Sequence, residues 1–329
     1  MFHLPETMKS WPWPRQINPH YKEVAAESTI WLKSYKPFSE EAQNAFDRGN
    51  FEHLRIGSLL FVVDEYTEGQ PEHVVRELVD IFRDALNNPT DPRPNGENIL
   101  GEMTRDFWQR VLKTATPESA QHFMESCNDY LESIVAQAAD CDSDTVRTID
   151  TFVLNRRENS GVRPSFLPGE LHLSIPDHAF HHPTIRELQH LVVDIVTVDN
   201  DLASYNKEQA VGDDRSNILT VTMRQYQLPL AEAAEWVAKY HAELEAKFHD
   251  TLTKVPSWGK EVDDHMAEYI EHLINWPRGN DCWNFEGGRY FGSKGEEIQR
   301  TRVVQLLPQR RNSRGVDVEK VVPLNLDAL

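Results

Sequence analysis

The chain has 329 residues, and its 34 lysines and arginines against 53 aspartates and glutamates give a formal net charge of -19. Such an acidic surface repels nucleic acid and anionic membranes, so an anionic substrate would have to be recruited by metal ions or by local arginines. The length still allows one large helical or barrel domain to bury its own core.

The first 20 residues are predicted to form an extended segment. They contain Trp11-Pro12-Trp13-Pro14 and Asn18-Pro19, and proline disfavours helix interiors and restricts the residue before it. The N-terminal segment has no apolar core of the length of a signal peptide. The sequence also contains no apolar run of transmembrane length. The three cysteines have no metal-ligand spacing and are expected to be reduced thiols. We therefore expect a cytoplasmic protein without stable membrane insertion.

From Tyr21 onward, the apolar residues recur at helical spacing, as in Val74, Leu78, Ile81 and Phe82. Breakers separate these stretches at 87–96, 165–176, 212–214 and 256–259, and no alternating strand pattern of useful length lies between them. The pattern predicts a single all-α bundle over residues 21–308, preceded by the extended segment 1–20 and followed by a loosely held tail, 309–329.

A first acidic motif follows the apolar run that ends at Val63. It reads Asp64-Glu65-Tyr66-Thr67-Glu68, and on a helix Asp64 and Glu68 lie one turn apart, where like charges repel unless a cation lies between them. Magnesium prefers such oxygen ligands. The alternative is a solvated acidic helix end, which the motif alone does not exclude, although carboxylates are unfavourable near a helix C-terminus.

A second polar set lies near the end of a long predicted helix over residues 184–208. Asn200, Ser204 and Glu208 follow one another at intervals of four, so an amide oxygen, a hydroxyl and a carboxylate share one face at about 6 Å per step. Each residue alone would suit a polar stripe facing solvent. Together they make a second set of oxygen ligands for a hard cation.

These two motifs resemble those of the class I terpene cyclases. In that family an aspartate-rich motif and an Asn-Ser-Glu triad lie on facing helices and bind three magnesium ions with the substrate diphosphate. The resemblance implies an all-α, single-domain helical bundle with a central active-site cavity. It also implies that Asp64, Asn200, Ser204 and Glu208 bind metal, with Glu68 as a further ligand and Glu65 as a weaker candidate.

Two further elements occur in the order that the family shows. Arg157, four residues before Gly161, resembles the pair that senses diphosphate and responds to it, with Ser160 as the linker. Arg289-Tyr290 resembles the C-terminal Arg-Tyr pair. The resemblance implies that Arg157, Gly161, Arg289 and Tyr290 are catalytic, and that Arg157, Lys207, Arg289 and Tyr290 bind the diphosphate.

Several longer strings resemble the sesquiterpene synthases of basidiomycete fungi, among them the stretches 155–158, 161–166 and 278–285. The resemblance implies Mg²⁺-dependent ionisation and cyclisation of farnesyl diphosphate with release of diphosphate. The Asp-Glu-Tyr-Thr form of the first motif most resembles Δ6-protoilludene synthases, which act through a humulyl cation. One departure is a segment between Phe51 and Leu54 that is shorter than in these relatives.

Three aromatic residues are candidates for the wall of a cavity that would hold a carbocation, because a ring face stabilises positive charge. They are Phe61, Trp283 and Phe285, and ordinary core packing explains each of them equally well. Two other functions stay open: a chain-elongating prenyltransferase, which would carry aspartate-rich motifs on both helices, and a catalytically impaired homologue that only binds diphosphate. Either a monomer or a homodimer is compatible with the sequence.

Overall fold

The computed structural model describes residues 1–49, 55–142 and 147–309. The described residues divide into two compact units. Unit A comprises residues 1–16, 147–169 and 173–309, and unit B comprises residues 17–49, 55–142 and 170–172. The predicted single domain over 21–308 remains a prediction.

The longest helix of unit A is α10 (Pro183–Val211), and most of the other helices of the unit pack against it. Most of its apolar residues are buried, with Ile185, Leu188 and Val192 at 0% exposure. It packs most extensively against α12 (Leu230–Leu252) and α13 (Lys260–Glu286). The helices of this unit are α7 (Ile149–Asn159), α8 (Leu167–Glu170, whose last residue is assigned to unit B), α9 (Asp177–Phe180), α10 (Pro183–Val211), α11 (Ile218–Tyr226), α12 (Leu230–Leu252), α13 (Lys260–Glu286), α14 (Gly288–Phe291) and α15 (Gly295–Thr301).

Both ends of α10 have a local cause. Pro183 occupies the first turn, where its missing N–H costs nothing. Gly212 ends the helix in the left-handed conformation, at φ +78°, which glycine adopts without a steric penalty. The chain then reverses and starts α11 at Ile218. The predicted helix over 184–208 therefore extends by one residue at its start and three at its end.

The N-terminal segment is part of the core of unit A. Met8 and Trp11 are buried, the Trp11 indole donates to the carbonyl of Ile274 at 3.2 Å, and Arg278 donates to the carbonyls of Met8 and Trp11 at 2.8 and 2.9 Å. Two residues of this segment, β1 (Phe2–His3), pair antiparallel with β2 (Val303–Val304). The proline pattern predicted neither this short pairing nor the 3₁₀ helix that residues Thr7–Ser10 form within the segment.

Unit B is also helical. It contains α1 (Tyr21–Tyr35), α2 (Glu40–Gly49), α3 (Arg55–Thr67), α4 (Glu72–Asn87), α5 (Ile99–Val111) and α6 (Pro117–Asp142). Helix α4 packs against α5 and α6 and buries Val75, Leu78 and Phe82. The predicted break at 87–96 separates α4 from α5.

Two sequence predictions fall wholly or mostly outside the described residues. They are the shortened segment between Phe51 and Leu54 and the tail from residue 310 onward. None of the helices in the described ranges is long and apolar enough to cross a membrane.

Candidate active site

Asn200, Ser204 and Glu208 lie on successive turns of α10, as their spacing predicts. Asn200 and Glu208 are partly buried and Ser204 is buried. Because each turn of an α-helix advances about 5.4 Å, the three side chains form one oxygen-bearing row along the helix.

The predicted Arg-Tyr pair lies at the Asn200 end of this row. The amide nitrogen of Asn200 donates to the Tyr290 hydroxyl at 2.8 Å, and the Arg289 guanidinium carbon lies 5.8 Å from the centre of the Tyr290 ring. Burial raises the pKa of Tyr290 and keeps its hydroxyl protonated. With its nitrogen directed to Tyr290, the Asn200 amide directs its oxygen toward Arg156, whose Nη2 lies 3.4 Å away.

Glu208 lies at the other end of the row. Burial is the main cause that raises the pKa of its carboxyl to about 7, and the nearby charge of Asp201 adds to the rise. The hydrogen bonds that oppose the rise come from neutral donors, Ser204 and Asn217. A buried carboxylate held in this way is stabilised by a cation, so the row fits a hard divalent ion.

Arg156 contacts this site, although the sequence motifs pointed to its neighbour. Its guanidinium donates to Asp201 Oδ1 at 2.8 and 3.2 Å and reaches Asn200 Oδ1 at 3.4 Å. Asp201 is only 1% exposed, and its second oxygen accepts the backbone N–H of Ile218 at 2.9 Å. This ion pair ties α7 and the start of α11 to the turn of α10 that carries Asn200.

Arg157 contacts α10 about two turns before Asp201. Its Nε and Nη2 both donate to the buried Asp194 carboxylate, each at 2.7 Å. Burial raises the pKa of Asp194, and the charge of Arg157 opposes that rise. A guanidinium has five N–H donors, so this pairing orients Arg157 and uses only two of them.

Gly161 has a conformational reason for being glycine. It follows Ser160 at the end of α7 with φ +69°, and its carbonyl accepts the Ser165 hydroxyl at 2.7 Å. A residue with a Cβ would be strained here. Whether Gly161 also responds to substrate stays a prediction.

The remaining candidates of unit A differ in their surroundings. Lys207 lies on the exposed face of α10, next to Glu208. The Trp283 ring contacts Tyr290 edge to face, with 5.6 Å between centroids. Phe285 instead stacks on Phe291 at 5.4 Å in the core. Of the two aromatic candidates, Trp283 is therefore the one placed beside the predicted site.

The first acidic motif ends α3 in unit B. Asp64 and Glu68 are exposed, and the Glu68 N–H donates to the Asp64 carbonyl at 2.9 Å, so the two residues occupy successive turns as predicted. Burial, and then the charge of Asp64, raise the pKa of Tyr130 on α6. Phe61 is partly buried and meets Phe46 edge to face at 6.4 Å, an ordinary packing contact within this unit.

Asn217 is a second residue at the site that the motifs did not indicate. It is fully buried between α10 and α11, and its Nδ2 donates to Glu208 Oε2 at 2.9 Å. The sequence signal that could have found it is an Asn directly before an apolar helical run, a typical N-cap.

Comparison with known proteins identifies the family of this chain. Residues 55–247 match the family described as terpene synthase family 2, C-terminal metal binding. "Sesquiterpene synthase 14" of Postia placenta is 51% identical over 98% of this chain and 97% of its own length. "Delta(6)-protoilludene synthase 18" of the same fungus is 48% identical over 99% and 98%, and the Delta(6)-protoilludene synthase of Armillaria gallica is 42% identical over 93% and 94%.

Solved structures share the fold. The structure of "a-eudesmol synthase" has a TM-score of 0.72 at 16% identity and covers 84% of this chain and 98% of that one. Germacradien-4-ol synthase from Streptomyces citricolor has a TM-score of 0.69 at 19% identity and covers 83% and 96%. The predicted all-α fold of a class I terpene cyclase is confirmed. With its helical bundle, its oxygen-bearing row on α10 and these relatives, the chain belongs to the terpene synthase family and is a terpene cyclase.

Proposed function

We propose that this enzyme ionises farnesyl diphosphate and cyclises the resulting cation to a sesquiterpene with release of diphosphate. The observation that carries the proposal is the row of Asn200, Ser204 and Glu208, with Tyr290 hydrogen-bonded to its first member at 2.8 Å. Relatives named as sesquiterpene synthases, 40 to 51% identical to this chain, support the substrate.

The metal in this proposal is Mg²⁺, three ions together with the diphosphate. In unit A, Asn200, Ser204 and Glu208 would hold it through oxygen atoms, which magnesium prefers. In unit B, Asp64 would do so, with Glu68 as a further ligand. When bound, the ions neutralise the diphosphate oxygens as the allylic C–O bond breaks, which is the main requirement of this reaction.

The cationic and hydroxyl donors of unit A would bind the diphosphate directly. Arg157, Lys207 and Arg289 offset the net charge of -19 locally, and Tyr290, kept protonated by burial, adds an O–H donor. Asp194 orients Arg157 and leaves three of its N–H groups for substrate oxygens. Gly161, which ends α7 four residues after Arg157, would transmit the arrival of diphosphate to the cavity.

The proposed product is Δ6-protoilludene, formed through a humulyl cation. Two relatives of that name from Postia placenta, each 48% identical over 99% of this chain, support it. The cation needs a site without water, and Trp283, which contacts Tyr290, would stabilise it through its ring face. A cytoplasmic location, a monomer or homodimer and the absence of nucleic-acid partners complete the proposal.

Product analysis tests this function. The protein is incubated with farnesyl diphosphate and MgCl₂, and the volatile products are identified by gas chromatography and mass spectrometry, with EDTA as the control. A cyclic C15 hydrocarbon that requires magnesium supports the proposal, and Δ6-protoilludene supports the named product. In a parallel incubation that also contains isopentenyl diphosphate, a longer prenyl diphosphate in the non-volatile fraction would identify an elongating enzyme. Metal-dependent binding of diphosphate without any hydrocarbon would identify a catalytically impaired homologue.

A further inference from the structure

Asn217 links the end of α10 to the start of α11 through every polar atom of its side chain. Its Oδ1 accepts the backbone N–H of Leu219 at 3.0 Å and so caps α11. Its Nδ2 donates to the backbone carbonyl of Asp201 at 2.7 Å and to Glu208 Oε2 at 2.9 Å, and it lies 3.5 Å from the hydroxyl of Ser204. The side chain is 0% exposed.

The orientation of this amide is not arbitrary. Because Oδ1 must accept the N–H at the start of α11, the NH₂ end has to face α10. There its two hydrogens meet a main-chain carbonyl and the Glu208 carboxylate. Reversing the amide would place an oxygen against both acceptors and would leave the helix N–H without its cap.

Glu208 gains a fixed position from this contact. A glutamate has several accessible rotamers, and holding one of them costs conformational entropy. The 2.9 Å bond from Asn217 fixes Oε2 before any ion arrives, and the turn around Gly212 makes this possible by bringing residue 217 back beside residues 201–208. Partners that orient metal ligands typically change metal affinity 10- to 100-fold when they are removed.

We propose that Asn217 is a positioning residue that pre-orients Glu208, and with it Ser204, for divalent metal and diphosphate. This inference rests on the proposed function of the α10 row. It assigns to Asn217 a task beyond capping α11, and the two tasks are separable because capping needs only the oxygen of the side chain.

The substitution Asn217→Ser separates the capping of α11 from the orientation of Glu208. Serine is as good an N-cap as asparagine, so α11 stays capped while the donor to Glu208 is lost; Asn217→Thr is the second variant. Asn98 offers a matched control. It is 7% exposed, and its Oδ1 caps α5 by accepting the Leu100 N–H at 2.9 Å. Its Nδ2 makes no hydrogen bond within the described part of the chain. Asn98→Ser therefore changes a buried cap without removing a contact to a carboxylate.

The readout is the affinity for Mn²⁺ in the presence of inorganic diphosphate, followed by electron paramagnetic resonance, together with the thermal midpoint of each variant. We expect Asn217→Ser and Asn217→Thr to bind Mn²⁺ about tenfold more weakly, and Asn98→Ser to bind it as the wild type does. The KM for farnesyl diphosphate at limiting Mg²⁺ should rise in the two Asn217 variants and approach the wild-type value at saturating Mg²⁺.

Three outcomes decide the matter. Weaker Mn²⁺ binding in folded Asn217 variants, with Asn98→Ser unaffected, supports the inference. Unchanged Mn²⁺ affinity in either folded Asn217 variant overturns it and leaves the proposed function intact. A wild-type protein that binds no Mn²⁺ with diphosphate overturns the proposed function, and this inference with it.

Discussion

The ion pair between Arg156 and Asp201 is predicted to be a main stabilising contact of unit A. In Arg156→Met the aliphatic stem is largely kept, but Asp201, 1% exposed, loses its guanidinium partner. Removing one partner of a buried pair costs about 3 to 5 kcal/mol. Because the Arg156 side chain is 20% exposed and Asp201 keeps the Ile218 N–H, we expect the lower value, about 3 kcal/mol.

This loss of unfolding free energy should lower the thermal midpoint by a measurable amount. Unfolding entropy is about 2.1 cal/mol/K per residue, so for 329 residues it is about 0.7 kcal/mol/K and the expected fall in thermal midpoint is about 4 °C. Differential scanning calorimetry measures it. Arg15→Met is the matched control, because Arg15 pairs with Glu286 at an exposed site, with side chains 35% and 50% exposed, where such pairs contribute about 0 to 1 kcal/mol.

A double-mutant cycle with Asp201→Asn isolates the pair itself. In the Asp201→Asn background, Arg156→Met should cost less than about 1 kcal/mol, because no buried charge is left uncompensated. Additive effects of the two substitutions would refute the reasoning, since the stability would then not depend on the pair.

Three further predictions concern unit A. Burial lowers the pKa of His272 from 6.5 to about 4, so between these pH values the unfolded chain binds a proton that the folded chain does not. The free energy of unfolding should therefore be highest above pH 6.5 and fall toward pH 4 by at most about 3 kcal/mol. Urea titrations across this range should show a smaller fall for His272→Gln. Gly169→Ala would place a Cβ 2.0 Å from the His272 ring and should lower the free energy of unfolding by about 1 to 3 kcal/mol. In the control Gly279→Ala the added Cβ has nothing within 4 Å, so its thermal midpoint should be unchanged or higher. Thr7→Val removes the hydroxyl that donates to Asp199 Oδ1 at 2.5 Å and should cost about 1.5 to 3 kcal/mol; an unchanged midpoint would show that this bond contributes nothing.

The sequence predicted the features that depend on local spacing. The helix of Asn200, Ser204 and Glu208 was predicted over 184–208 and is found at Pro183–Val211, because its apolar period, the proline before it and the glycine after it are all local signals. The prolines of the first 20 residues predicted an extended segment, but they did not indicate the short 3₁₀ helix over Thr7–Ser10.

The sequence could not predict contacts that depend on how elements pack. Arg156 and Arg157 are adjacent, and only the phase of α7 against α10 decides that the first reaches Asp201 and the second Asp194. Asn217 comes beside Glu208 only because the chain reverses after Gly212. The burial of Trp11 beneath α13 depends on a contact across more than 260 residues of sequence, which no local pattern contains.

The row of Asn200, Ser204 and Glu208 on α10 is proposed to promote the ionisation of farnesyl diphosphate. The most direct test of this role is the rate of diphosphate release from farnesyl diphosphate and MgCl₂ by the wild type and by Asn200→Leu. Asn275→Leu is the control, because the amide of Asn275 donates to the carbonyl of Glu271 one turn earlier on α13, at 2.9 Å. We predict at least an approximately hundredfold loss in Asn200→Leu, with an unchanged helical circular dichroism spectrum and a near-normal rate in Asn275→Leu. Release by folded Asn200→Leu at the wild-type rate would contradict the assignment of the site.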